Sequence, residues 1–182
     1  DSPLKFEITS DSTVKVIRDV SYESFTEVDI LCRVRIDDKI YSVTGIGRLA
    51  FVYAVDLSNV KLPSTLTTID YGAFKNCYDL NSIEIPESVT HLGSSVFAFS
   101  KLESVNIPSA ITSISDSLFI GCNLSNFRIP SSITSIGKYA FAYNKASFTS
   151  IEIPSSVQDI GEYAFKGTYY LKSVVLSSNI TQ

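Results

Sequence analysis

The sequence predicts an α/β, right-handed solenoid. Its concave face carries a parallel β-sheet, its convex side short strands and helical turns, and its N-terminus a β-hairpin cap. Two repeating anchors and one strand pattern lead to this. Pro63, Pro86, Pro108, Pro130 and Pro154 recur at spacings of 23, 22, 22 and 24 residues. Phe51, Phe74, Phe97, Phe119, Phe141 and Phe165 recur independently at 23, 23, 22, 22 and 24. A fixed period of this size marks a stacked array, in which one unit cannot bury its apolar face alone. The strand pattern precedes each proline, where apolar residues at positions one, four and six of a short extended segment point inward.

Residues 1–38 lack the period and form a β-rich N-terminal cap. Leu4 to Ile8 alternates apolar and polar, Ser10-Asp11-Ser12 supplies turn chemistry, and Val14 to Ile17 resumes the alternation, which reads as a hairpin. A second extended run, Val28 to Ile36, meets Asp37-Asp38 and then Ile40 to Val43, a further hairpin. These strands are expected to cover the open edge of the first unit, because an exposed edge presents unpaired backbone groups.

Residues 39–182 form about six units of 22–24 residues, the last one truncated. The inward strand triplets are Leu57, Val60 and Leu62; Leu80, Ile83 and Ile85; Leu102, Val105 and Ile107; Leu124, Phe127 and Ile129; Phe148, Ile151 and Ile153; and Leu171, Val174 and Leu176. Proline ends each ladder because it lacks an N–H. A second short strand follows, such as Leu66 to Ile69 or Ile133 to Ile136, closed by Gly47, Gly93, Gly137 or Gly161, where a turn of positive φ is expected. Asp70 and Ser115 replace that glycine in two units. The Ala-Phe pair that follows is read as one helical or 3₁₀ turn. Val96 and Leu118, in place of alanine, are expected to push that turn outward.

These residues together resemble the BspA-like class of leucine-rich repeats over roughly residues 39 to 182, with Pro, Thr, Gly and Ala-Phe in register over five units. The first 38 residues resemble the β-rich cap that often precedes such arrays. The resemblance implies an extracellular or cell-surface adhesin that binds a protein or glycoprotein without catalysis.

Composition agrees with a recognition scaffold. Hydrophobic residues make up 45 % of the chain, yet no run approaches the ~18 apolar residues of a membrane span, so no membrane insertion is expected. The net charge is −4 with dispersed basic residues, which argues against a nucleic-acid partner. With His91 as the only histidine there is no Ser-His-acid set and no multi-histidine metal site, and no cofactor-binding phosphate loop occurs. The chain contains no methionine and opens at Asp1-Ser2-Pro3, which is expected of a piece of a longer protein, and Val175 onward reads as the start of a further unit. That edge could stack end to end on another array, and the alternatives to a recognition module are a structural or self-associating array and the targeting region of a larger surface protein.

Cys77 and Cys122 occupy one column two units apart, ~10 Å by strand spacing and beyond disulfide reach. The column also holds Ala54, Ser100, Asn144 and Thr168, so a buried ladder of small residues is expected there. The candidate ligand-binding residues are the outward positions of the concave sheet: Asn59, Lys61, Asn81, Glu84, Glu103, Asn106, Asn126, Arg128, Glu152 and Lys172. Lys61–Glu84 and Arg128–Glu152 would be lateral neighbours. The plainer reading is that these residues keep the sheet soluble; the functional one is that they bind a protein by hydrogen bonds and charge pairing. Tyr53, Phe99 and Tyr143, with Tyr78, Tyr169 and Tyr170 nearby, are read first as space fillers and second as interface anchors. Asn123 and Asn179 lie in glycosylation sequons.

Overall fold

A computed structural model describes residues 3–125, 127–144 and 149–176. β1 (Lys5–Ile8) and β2 (Thr13–Ile17) form the first hairpin, with Phe6 opposite Val16. The run from Val28 to Ile36 is not one strand. β3 (Glu27–Asp29) separates from β4 (Arg33–Ile36), and only β4 pairs antiparallel with β5 (Lys39–Ile46). Asp37 and Asp38 join them with φ of 46° and 62°, the two left-handed residues that a tight hairpin turn uses to match strand twist.

β3 instead pairs parallel with β6 (Asn59–Lys61), placing Val28 opposite Val60, while β2 pairs parallel with β5. Between them a 3₁₀ helix at Val20–Ser24 buries Tyr22, whose ring stacks 5.2 Å from Phe51 and whose hydroxyl accepts from the Lys5 N–H. Val16, Tyr22 and Val28 thus extend the three layers of the array toward the N-terminus. One cluster of buried residues runs from Leu4 to Ala164.

The units then contribute β7 (Thr68–Ile69), β8 (Ser82–Ile83), β9 (His91–Leu92), β10 (Ser104–Val105), β11 (Ser113–Ile114), β12 (Ser135–Ile136), β13 (Ser150–Ile153), β14 (Asp159–Ile160) and β15 (Ser173–Leu176). The pairings between units are parallel, as the strand pattern predicts. β5–β7–β9 and β11–β12–β14 make the second-strand ladders, while β3–β6, β8–β10 and β13–β15 pair on the first-strand side. The inward triplets are buried or half-buried up to Ile153; Phe148 lies outside the described residues. Val174 and Leu176 are exposed, since no following unit among the described residues covers them.

The expected helical turns are absent among the described residues. Each Ala-Phe segment is a string of tight turns in which alternate N–H groups have different tasks. In the first unit Ala50, Val52 and Ala54 donate three residues back, to Gly47, Leu49 and Phe51. Leu49, Phe51 and Tyr53 donate to Tyr71, Ala73 and Lys75 of the next unit. The same cross-unit bonds recur at every junction to Tyr143–Lys166, at 2.7–3.2 Å. Turning alternate peptides outward requires left-handed backbone two residues before and two residues after each phenylalanine. Leu49 and Tyr53, Gly72 and Asn76, Ser95 and Phe99, Ser117 and Gly121, Tyr139 and Tyr143, and Tyr163 and Gly167 all have positive φ.

Positive φ therefore does not fall at Gly47, Gly93, Gly137 and Gly161, contrary to the expectation from the sequence. Glycine is needed there for close approach: a Cβ on Gly93 would lie 2.5 Å from the Tyr71 nitrogen, and one on Gly161 2.6 Å from that of Lys138. The N–H of these glycines closes the second-strand ladder, as from Gly137 to Ile114 O at 2.7 Å. Asp70 keeps this bond to Ile46 O. At Ser115 the hydroxyl makes it, donating to Leu92 O at 2.6 Å, and this is where the second-strand ladder divides between β9 and β11.

The phenylalanines form a continuous stack. Ring centroids are 5.3 Å apart at Phe51–Phe74 and 5.4 Å at Phe141–Phe165, and widen to 6.0 and 5.9 Å across Phe74–Phe97–Phe119. The wider spacings fall beside Val96 and Leu118, whose side chains are fully buried. The added bulk is taken up between rings, and the turn ladder stays closed. Three residues beyond the stack, the small-residue column satisfies the phenylalanine carbonyls. Cys77 Sγ donates to Phe51 O and Cys122 Sγ to Phe97 O, both at 3.2 Å. Asn144 Nδ2 donates to Phe119 O and Phe141 O. Burial pushes both thiols up to about 12, so at neutral pH they are protonated and act as packed donors.

Candidate functional site

The outward face of the first-strand side carries an open groove of about 920 Å³, spanning β6, β8 and β10. Its geometry follows from the alternation along each strand, which sends Val60, Ile83 and Val105 inward and leaves small polar residues outside. The groove is lined by the outward residues Asn59, Lys61, Ser82, Glu84, Ser104 and Asn106, and also by Val60, Leu62, Ile83 and Val105 of the same strands and their ends. β6 and β8 are not paired as strands, and the groove runs over that junction. Ser64 and Pro86 also line it; the outward pattern does not reveal them, because they belong to the turn after the strand.

Four of the residues expected to bind a ligand, Asn59, Lys61, Glu84 and Asn106, come together at this groove. Asn81, Glu103, Arg128, Glu152 and Lys172 are exposed along the same series but do not line it. Asn126 and Asn179 lie outside the described residues. The expected lateral ion pairs do not form. Lys61 Nζ lies 3.6 Å from Asp29 Oδ2, across from it in the β3–β6 pairing, and the described residues contain no Arg128–Glu152 pair. Lys61 is drawn toward the N-terminal side because β3 supplies a partner that the period alone does not show. Among the described residues Glu84 has no ion pair and stands as a carboxylate at the groove.

Asn106 has a structural task. Its Oδ1 accepts from the Ile85 N–H and its Nδ2 donates to Ile85 O, both at 2.7 Å. A side-chain amide offers the same donor–acceptor pair as a peptide group, so Asn106 extends the β8–β10 ladder by one step in place of backbone. His91 is exposed, and among the described residues no group of three His, Cys, Asp or Glu could hold a metal ion. Among the described residues no helix is long and apolar enough to cross a membrane. Cys32 is exposed, with its sulfur 3.9 Å from Ser64 Oγ.

The aromatic set occupies the other side. Tyr53, Phe99 and Tyr143 are exposed at left-handed positions of the turn ladder, and Tyr78, Phe99 and Tyr143 border a second cavity of about 390 Å³. Tyr169 and Tyr170 are exposed beyond them. Near the same turns Tyr139 and Tyr163 stack at 5.1 Å, beside the Lys138–Glu162 ion pair at 2.7 Å. That hydrogen bond raises the Lys138 ammonium above and lowers the Glu162 carboxyl below its ordinary value. Both groups are fully exposed, so the pair adds little to stability.

Comparison with known proteins agrees with this architecture. Residues 18–146 and 142–182 match the BspA type Leucine rich repeat region, in six copies. No curated protein matches the sequence. Among solved structures, a leucine-rich repeat protein from Eubacterium ventriosum is similar at a TM-score of 0.67 and 22 % identity, covering 96 % of this chain and 44 % of that one. A leucine rich cell surface protein from Faecalibacterium prausnitzii is similar at 0.51 and 20 %, covering 100 % and 76 %. The T. pallidum Leucine Rich Repeat protein is similar at 0.52 and 19 %, covering 92 % and 87 %. This chain thus spans less than half the length of the first of these. With the period, the parallel pairing and the phenylalanine stack in place, the match over most of its length shows that the chain belongs to the BspA-type leucine-rich-repeat family.

Proposed function

We propose that this chain is a non-catalytic recognition module of a surface-displayed or secreted protein, binding a protein or glycoprotein through the outward face of its first-strand side. In this reading the units wind right-handedly with that face concave, residues 1–38 cap residues 39–182, and nucleic acid is not a partner. The observation that carries it is the groove over β6, β8 and β10, where exposed polar residues converge around Glu84, which has no ion pair among the described residues. Extended arrays offer such faces because the strands fix the backbone while outward side chains vary freely. The likeness to a leucine rich cell surface protein supports a surface location.

Charge reversal tests the reading. Glu84→Lys, Arg128→Glu and Glu152→Lys together, assayed against individually immobilised extracellular-matrix proteins, should weaken binding at least tenfold with an unchanged circular dichroism spectrum. Unaltered binding to every matrix protein that the parent captures would remove this face from the account. A second reading is self-association, in which β15 stacks end to end on another array. Sedimentation over a range of concentrations separates the two, since a monomer that retains matrix binding supports recognition alone.

A further inference from the structure

The turn side holds an aromatic arrangement that the sheet-face reading leaves unused. Two residues after each stacked phenylalanine the occupants alternate, with Tyr53, Phe99 and Tyr143 in every other unit and Asn76, Gly121 and Gly167 between them. All six have left-handed backbone, with φ of 58–70°, a conformation that bulky residues rarely adopt. The alternation has a packing cause. A Cβ on Gly121 would lie 2.5 Å from Phe99 Cδ1, and one on Gly167 would meet the Tyr143 ring in the same way. The Phe99 and Tyr143 rings lie across the backbone of the next unit, which carries glycine there, whereas Asn76 follows Tyr53. One face of the ring is used in this contact. The side chains nevertheless remain open to solvent, at 50 % for Tyr53, 43 % for Phe99 and 40 % for Tyr143.

The cavity between Phe99 and Tyr143 is completed by Tyr78, Lys101, Gly121 and Asn123. Its volume of about 390 Å³ falls within the range of small-ligand sites. Among the described residues Asn123 Oδ1 is buried and has no hydrogen-bond partner, although buried side-chain oxygens are nearly always satisfied. The site therefore offers ring surface, neutral amide hydrogen bonding and a single cation. A peptide side chain would find no deep apolar pocket here, and Lys101 alone makes a poor anion site. A pyranose matches better: its C–H faces are attracted to the negative face of an aromatic ring, and its hydroxyls both donate and accept.

Spacing narrows the class further. The core stack advances 5.9 Å from Phe97 to Phe119 and 5.7 Å from Phe119 to Phe141, so two units advance about 12 Å along the stack, somewhat more than twice an inter-strand step. In an extended β-1,4-linked glycan every second residue presents the same face, at a similar repeat. We propose that the turn side binds a neutral, extended β-linked glycan, with pyranose rings stacked on Phe99 and Tyr143 and hydroxyls hydrogen-bonded by Asn123 and Lys101.

Cellohexaose and chitohexaose are the probes, with maltohexaose as an α-linked control, measured by titration calorimetry and by tyrosine absorbance, which no tryptophan obscures in this chain. At least one β-linked hexasaccharide should bind saturably and perturb the tyrosine band. The double variant Phe99→Asn, Tyr143→Asn should weaken it at least tenfold. Asparagine is chosen because Asn76 occupies the same column with the same backbone, and a retained thermal transition confirms the fold. Asn123→Ala should also weaken binding, while the sheet-face charge reversals should leave it unchanged. Four results would overturn the proposal: no saturable binding of either β-linked probe at millimolar concentration, undiminished binding by the double variant, equal affinity for maltohexaose, or loss of binding on sheet-face reversal alone.

Discussion

The two sides of the array are joined in different ways. On the turn side, each junction from Phe51 to Phe165 carries three cross-unit backbone hydrogen bonds beside a phenylalanine ring pair. On the first-strand side the ladders are short; β6 and β8 are not paired, and Asn106 substitutes for backbone beyond β8–β10. The contrast shows where the architecture is held. Rings buried in a dry stack and amides bonded in a closed ladder tolerate little change, whereas the outward face of the strands can take many side chains without altering the coil. The coil is thus held chiefly on the turn side, and the outward face of the strands is the freer to vary.

The largest test removes a ring from the stack. Phe119→Ala takes away contacts with Phe97, Phe127 and Phe141 together, and should cost about 3–5 kcal/mol in urea denaturation. A loss below ~1 kcal/mol would show that the stack is not what joins the units. Asn106→Ala removes two bonds and leaves the Ile85 peptide unpaired, with an expected cost of about 1–3 kcal/mol. If this exceeded the cost of Phe119→Ala, the comparison would be reversed.

A smaller change should stabilise. Ser117 has φ of 55°, and its side chain makes no hydrogen bond among the described residues; glycine adopts this backbone at no steric cost. Ser117→Gly should therefore add up to about 1 kcal/mol, read as a higher denaturation midpoint. The smallest effect at neutral pH belongs to the thiols. Cys77 and Cys122 have folded values raised to about 12 from the ordinary thiol value of about 8.5. The unfolded chain thus releases these protons first. The stabilisation they carry is complete below the unfolded value and is lost as pH rises from about 9 toward 12. The double variant Cys77→Ser, Cys122→Ser, using the residue that occupies this column at Ser100, should lose less stability than the parent across that window. Identical pH profiles would refute it. In native buffer a thiol reagent should label Cys32 and spare the other two.

How much of this is legible without coordinates depends on what sets each residue. The triplets such as Leu80, Ile83 and Ile85 are chosen by burial, so apolar character at a fixed period reveals them. The left-handed columns are set by backbone hydrogen bonding, and residues as unlike as Leu49, Ser95 and Tyr139 fill them, so no residue type marks them. Gly93 and Gly161 stand out in the sequence but for close approach rather than φ. Tyr22 and Val28 are hidden because the β4–β5 hairpin intervenes between Ile30 and Val43 and displaces the period. At the candidate site, the outward positions of Asn59, Lys61 and Glu84 follow from strand alternation. The Lys61–Asp29 pair and the task of Asn106 do not, because each depends on a neighbour that only the stacked units bring close.

Native-state hydrogen exchange tests the central claim most directly, since it reports the two sides amide by amide. The N–H groups of Phe74, Phe97, Phe119 and Phe141, which cross between units on the turn side, should exchange only through global unfolding. Those of Asn81, Ser82 and Ile83, next to the unpaired β6–β8 junction, should exchange orders of magnitude faster through local opening. Equal protection on both sides, or slower exchange at β8 than at the phenylalanines, would contradict the account.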